Sequence, residues 1–171
     1  RGKTMNAGQI CLAPDYLMLP KGRSKEFADA SNEAVSEMFT NLKYNEDYTS
    51  VINERHYERI NELVSDAKEK GAEVIQINPA DEDFEQQELH KIPPTLVLNP
   101  TDDMKIMQEE IFGPVLPVKE YEDFDETVNY VNSKDRPLGL YLFSKDKNKE
   151  KKVIDKTTSG GVTLNDVIWH I

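Results

Sequence analysis

The run Val115-Leu116-Pro117-Val118-Lys119-Glu120-Tyr121-Glu122-Asp123-Phe124-Asp125-Glu126-Thr127-Val128-Asn129-Tyr130-Val131, with Leu138-Gly139-Leu140-Tyr141-Leu142-Phe143 after it, decides the fold. Val115 to Val118 is a short apolar stretch of strand type. Asp123, with Glu126 three residues later, reads as a capping-box-like helix start, and Phe124, Val128 and Val131 share the buried face of the helix it opens. Leu138 to Phe143 returns to strand, Asp146 to Lys156 to helix, and Gly161 to Leu164 to a final strand. Such alternation means an α/β fold, an open, mainly parallel twisted sheet flanked by helices and joined by right-handed crossovers.

The same grammar extends toward the start of the chain. Tyr16 to Leu19 is a strand ended by Pro20-Lys21-Gly22, and Ser24 caps a helix with Phe27, Ala28, Ala34, Val35, Met38 and Phe39 on one face. The polar segment from Asn41 to Asn53 reads as a loop. Ile60, Leu63, Val64 and Ala67 stripe a second helix, which Gly71 terminates. Glu73 to Ile77 is a strand, Asp81 to His90 an acidic exposed loop, and Thr95 to Leu98 the next strand. In such a sheet, chemistry belongs beyond the carboxyl ends of the strands, and Glu109-Glu110 and Ser159-Gly160-Gly161 fall in connections.

The 171 residues suit one domain, and a 37% hydrophobic content argues against disorder. A net charge of −11 makes nucleic acid a poor partner. The lysines from Lys145 to Lys152 are interrupted by acids and read as a solvated helix face. One cysteine cannot form an internal disulfide, and no apolar run has the length of a membrane span or signal peptide, so the expectation is a cytoplasmic protein without a membrane partner. His56, His90 and His170 lack zinc-ligand spacing, and no metal is expected. Neither a Gly-x-Gly-x-x-Gly nor a Gly-Lys-Ser phosphate loop occurs.

Cys11 is the only cysteine. A lone cysteine is ordinarily a small core hydrophobe. Its approach, Asn6-Ala7-Gly8-Gln9-Ile10, argues for chemistry instead: Gly8 permits close backbone approach, and Asn6 and Gln9 place amides beside the thiol. The sequence after Cys11 reads as helix-forming, and a helix N-terminus there would favour the thiolate.

Asn6-Ala7-Gly8-Gln9-Ile10-Cys11-Leu12-Ala13-Pro14-Asp15-Tyr16 resembles the nucleophile segment of the aldehyde dehydrogenase superfamily, and its Ala-Pro-Asp-Tyr continuation resembles the class 3 branch. Met107-Gln108-Glu109-Glu110-Ile111-Phe112-Gly113-Pro114-Val115 is similar to the family's Glu-Glu-x-Phe-Gly-Pro signature. Ser159-Gly160-Gly161-Val162-Thr163-Leu164-Asn165-Asp166-Val167-Ile168 again resembles class 3 enzymes. Leu98-Asn99-Pro100-Thr101-Asp102-Asp103-Met104 is most similar to coniferyl aldehyde dehydrogenases.

The resemblance implies oxidation of an aldehyde to a carboxylic acid with NAD or NADP. Cys11 would be the nucleophile, passing through a thiohemiacetal and a thioester, and its backbone N–H would stabilise the developing alkoxide. Glu110 and Phe112 match the positions that meet the nicotinamide ribose and ring; on the residues alone the favoured reading is a surface Glu pair followed by a core Phe and a Gly-Pro turn. Asn6, Gly8, Gln9 and Asn165 are expected as structural supports. His170 would line an aldehyde pocket or serve as a partly buried structural group.

The family's general-base Glu and oxyanion Asn would precede Arg1. The expectation is therefore that residues 1–171 form a partial catalytic domain. It would lack the NAD(P)-binding domain and the C-terminal oligomerisation segment, and be inactive alone, with a parent that is a homodimer or higher homo-oligomer. Two other readings stay open, a cofactor-independent cysteine acyl-transfer or esterase domain and a non-catalytic assembly module.

Overall fold

The computed structural model describes residues 1–85 and 87–169. Six strands and four α-helices follow one another as β1 (Leu17–Pro20), α1 (Ser24–Met38), α2 (Glu54–Glu69), β2 (Glu73–Gln76), β3 (Thr95–Leu98), β4 (Val115–Tyr121), α3 (Phe124–Asn132), β5 (Gly139–Leu142), α4 (Lys147–Lys156) and β6 (Gly161–Leu164). Short 3-10 turns at Met5–Gly8 and Lys105–Met107 complete the order.

The strands divide between two sheets, where the sequence suggested one. The larger runs β1-β4-β3-β2, and the smaller pairs β5 with β6. β1 with β4, β3 with β4, and β5 with β6 are parallel; β2 lies antiparallel on β3 at the edge. The mainly parallel α/β architecture therefore stands; α4 is the crossover between β5 and β6, whereas β3 reaches β4 through a connection whose only helical part is the Lys105–Met107 turn.

Side-chain alternation along β3 explains the layers. Leu96 and Leu98 face a cluster with Ala28 and Val35 of α1, Leu116 and Val118 of β4, and Ile77. Val97 points the other way, to Ile60, Leu63 and Ala67 of α2 with Val115, Ile106 and Ile111. All four β3 residues are buried, as a strand covered on both faces must be. Burying side chains of this size stabilises by roughly 1.5–3 kcal/mol each, so α1 and α2 are fixed on opposite faces by ordinary apolar packing.

Helix starts depart from expectation in instructive ways. Ser24 is the first residue of α1 and does not cap it; its backbone N–H is met by Glu120 Oε1 at 3.2 Å, a carboxylate from β4. At α3, Asp123 Oδ1 accepts from the Asp125 N–H at 3.0 Å and Glu126 Oε2 from the Glu122 N–H at 3.1 Å. Both carboxylates thus serve the helix start, each one residue from the box positions. Asn53 caps α2, its side chain accepting from the His56 N–H, and the helix ends two residues before Gly71. The loop between α1 and α2 is less open than its polarity suggests, since Leu42, Tyr48 and Val51 are buried. Lys91 is buried beneath it, donating to the carbonyls of Asn45 at 2.7 Å and of Tyr48. Among the described residues no helix is long and apolar enough to cross a membrane.

Candidate active site

Cys11 is exposed and occupies the first central position of a β-turn closed by the Ala13 N–H on the Ile10 carbonyl at 2.8 Å. No helix begins there; the turn runs on into β1 at Leu17, so the expected helix N-terminus is absent. The misreading has a physical cause. Pro14 disfavours helical geometry in the residue before it, which ends the apparent helix former Leu12-Ala13 at once. Among the described residues the Cys11 backbone N–H has no hydrogen-bond partner, which leaves it available as a donor to an oxyanion beside the sulfur.

Three successive residues ahead of the turn hold positive φ: Asn6 at 49°, Ala7 at 50° and Gly8 at 70°. Ala7 is nonetheless buried at 1% exposure, so the strained backbone is held by its surroundings. Asn6 stays local, its Nδ2 donating to the Gln9 carbonyl at 3.1 Å. Gln9 reaches much further. Its Nε2 donates to the Ser50 carbonyl at 2.9 Å and its Oε1 accepts from the Ile52 N–H at 2.9 Å, a two-point clamp on the loop before α2.

Gly8 provides the contact that joins the first two motifs. A Cβ on Gly8 would lie 2.3 Å from the Gly113 carbonyl oxygen, closer than any side chain tolerates. The Cys11 segment and the Glu-Glu-x-Phe-Gly-Pro segment therefore pass backbone against backbone. Asp15 adds a second tie, its Oδ1 accepting from the Ile111 N–H at 3.1 Å. On the other side Arg59, from α2, donates to the Glu110 carbonyl at 3.1 Å, the Ile111 carbonyl at 2.5 Å and Glu109 Oε2 at 3.4 Å. Held this way, Phe112 keeps a φ of 47° and remains 38% exposed. The Glu110 carboxylate is exposed and accepts no hydrogen bond among the described residues.

The third motif closes on the same segment. The Cβ position of Gly2 meets Val167 Cγ2 at 2.9 Å and Pro14 Cδ at 3.0 Å. Asn165 lies at the end of β6, where its Oδ1 accepts from the Ser144 N–H at 2.9 Å and so ties the ends of the two small-sheet strands. Tyr141, in β5, donates its hydroxyl to the Leu12 carbonyl at 2.7 Å. His170 lies outside the described residues.

Charge around the segment is sparse. Lys3 is a half-buried cation, 4.0 Å from Asp15 Oδ1, and desolvation lowers its pKa to about 8 against the pull of Asp15 and Glu110. Among the described residues no group of three or more His, Cys, Asp and Glu is arranged to hold a metal, and His90 is committed to Glu54 at 2.6 Å. A surface concavity of about 580 Å³ lies along α2, lined by Tyr57, Glu62, Asp66 and Lys105, and includes none of the nucleophile segment.

Asp15, Arg59, Lys3 and Tyr141 were not singled out from the sequence. Asp15 lies inside the quoted motif and was open to notice. Arg59 stands four residues ahead of Leu63, a charged residue at apolar-face spacing, which is a legible sign of a structural commitment.

Comparison with known proteins identifies the family and the fold. The sequence pattern of the aldehyde dehydrogenase family matches residues 1–170. A probable coniferyl aldehyde dehydrogenase of Caulobacter vibrioides is 59% identical over 170 residues, covering 99% of this chain and 35% of that protein. The substrate-bound state of Staphylococcus aureus AldH superposes with a TM-score of 0.88 at 34% identity, over 99% of this chain and 35% of that one. Betaine aldehyde dehydrogenase of Staphylococcus aureus, in complex with NAD+, gives a TM-score of 0.82 at 28% identity, over 99% of this chain and 34% of that one. The chain thus spans about a third of the length of these relatives, and it belongs to the aldehyde dehydrogenase family.

Proposed function

We propose that this chain is the thiol-bearing part of an enzyme that oxidises aldehydes to carboxylic acids, with Cys11 as nucleophile and NAD or NADP as hydride acceptor. The observation that carries the reading is the backbone contact of Gly8 with Gly113, which sets the exposed Cys11 turn against the Glu110–Phe112 segment. The similarity to a coniferyl aldehyde dehydrogenase makes an aromatic, coniferyl-type aldehyde the preferred substrate. The activity belongs to the whole protein, of which this chain covers the share seen in its relatives.

The Cys11 thiolate attacks the aldehyde carbonyl carbon, forming a C–S bond and leaving the former carbonyl oxygen as an alkoxide. The unpartnered Cys11 N–H donates to that oxygen as charge develops. A nicotinamide dinucleotide held beside Glu110 and Phe112 would supply the acceptor for the hydride that leaves the tetrahedral carbon as the alkoxide collapses to the thioester. The thioester left on Cys11 is then hydrolysed by water, releasing the acid and restoring the thiol. Glu110 and Phe112 suit the nicotinamide end of such a cofactor, because a carboxylate with free acceptor sites binds ribose hydroxyls and an exposed ring packs on a flat heterocycle. Lys3 carries the positive charge that Glu110 feels from the Cys11 segment.

The test uses the full-length protein with coniferyl aldehyde and NAD. Cys11→Ser should abolish turnover, and Glu110→Gln should raise the KM for the dinucleotide. Retained turnover in Cys11→Ser sinks the proposal.

A further inference from the structure

We infer that the Tyr141 hydroxyl is a positioning group that holds the Cys11 turn in its reactive geometry, an inference that rests on Cys11 being the nucleophile. Cys11 and Leu12 are the two central residues of the Ile10–Ala13 turn, whose internal tie is the Ala13 N–H on the Ile10 carbonyl at 2.8 Å. That bond closes the turn and leaves its outer face unrestrained. The Leu12 carbonyl takes no part in that bond, and Tyr141 meets it at 2.7 Å from the second sheet.

Burial raises the phenol's pKa against the opposing pull of the Ile168 backbone and keeps the hydroxyl protonated as the donor that Leu12 needs. Cys11 lies close enough for its charge to bear on this phenol. Ile168 is buried, β-branched and held at φ 71°, a conformation such a residue keeps only when its surroundings over-determine it. One hydroxyl therefore ties the nucleophile turn to β5, beside the strained segment after β6. The phenylalanine ring would fill the same space, so the hydroxyl alone carries the positioning and can be removed without opening a cavity.

The experiment compares wild type, Tyr141→Phe and Cys11→Ser in the full-length protein. It measures the second-order rate of Cys11 alkylation by iodoacetamide, kcat and KM for coniferyl aldehyde, and the melting temperature. Loss of one positioning hydrogen bond should slow alkylation and kcat by about tenfold, with the aldehyde KM within about twofold of wild type. Wild-type alkylation and kcat in Tyr141→Phe would overturn the inference, as would a lowered melting temperature with alkylation unchanged, since that marks a purely structural bond. Turnover in Cys11→Ser would instead remove the nucleophile on which the inference rests, so the two failures are distinct.

Discussion

Gly8→Ala is the sharpest probe of the contact between the two motifs. Gly8 has φ 70°, and an L-residue in that region costs roughly 1–2 kcal/mol, partly offset by the roughly 0.4–1 kcal/mol an alanine gains from its stiffer unfolded chain. The larger effect is steric. The new Cβ would lie 2.3 Å from the Gly113 carbonyl oxygen, whereas ordinary contact begins at 3.4 Å, so the segments must part by 3.4 − 2.3 = 1.1 Å. Misplacing reacting groups by that much costs about a hundredfold in rate. Gly113→Ala is the control, because its Cβ would meet the Ile60 Cδ1 at 2.5 Å, the far end of a side chain. Repacking Ile60 in the core should cost about 1–3 kcal/mol of stability while sparing most of the rate. The assay is kcat/KM for aldehyde oxidation by the full-length protein, with a melting curve for each variant. A Gly8→Ala enzyme within about threefold of wild type would refute the argument, because the segments would not then meet as described.

Two further substitutions test other ties. Gln9→Leu removes both bonds of the clamp on Ser50 and Ile52; since that loop is partly open to water, a loss of about 1–2 kcal/mol is expected in urea titration of this polypeptide, and an unchanged midpoint would discount the clamp. Lys3 probes burial. The unfolded chain holds its proton up to about pH 10.5, whereas the folded chain releases it near 8, so this group contributes stability that rises with pH between those values. Lys3→Met should therefore stabilise the chain at pH 7, by about 3 kcal/mol at most, and the advantage should shrink above pH 8. An advantage independent of pH would show that Lys3 is not desolvated.

Local pattern carried much of the architecture into view. Thr95–Leu98 and Gly161–Leu164 coincide with the strands inferred for them, because short apolar runs bounded by turn residues leave few alternatives. What escaped was long-range. Nothing near Gln9 announces Ser50 and Ile52, and nothing near Ser24 announces that Glu120 will meet its amide, since both depend on which strands become neighbours. The split into two sheets is likewise a matter of pairing, which hydrophobic period does not encode. Of the candidate site, the residue types and motifs were legible through resemblance. Their ties were not: Asp15, Arg59 and Tyr141 all act on backbone atoms, which every sequence shares.

The most direct test of the central claim is to stop the full-length enzyme during turnover of coniferyl aldehyde with NAD and locate the acyl group by peptide mass spectrometry. The account predicts a mass increase of one coniferyl-derived acyl group on the peptide containing Cys11, absent when either reactant is omitted and absent from Cys11→Ser. Steady turnover with the acyl group on another residue, or with an aldehyde-oxidising Cys11→Ser enzyme, would contradict it.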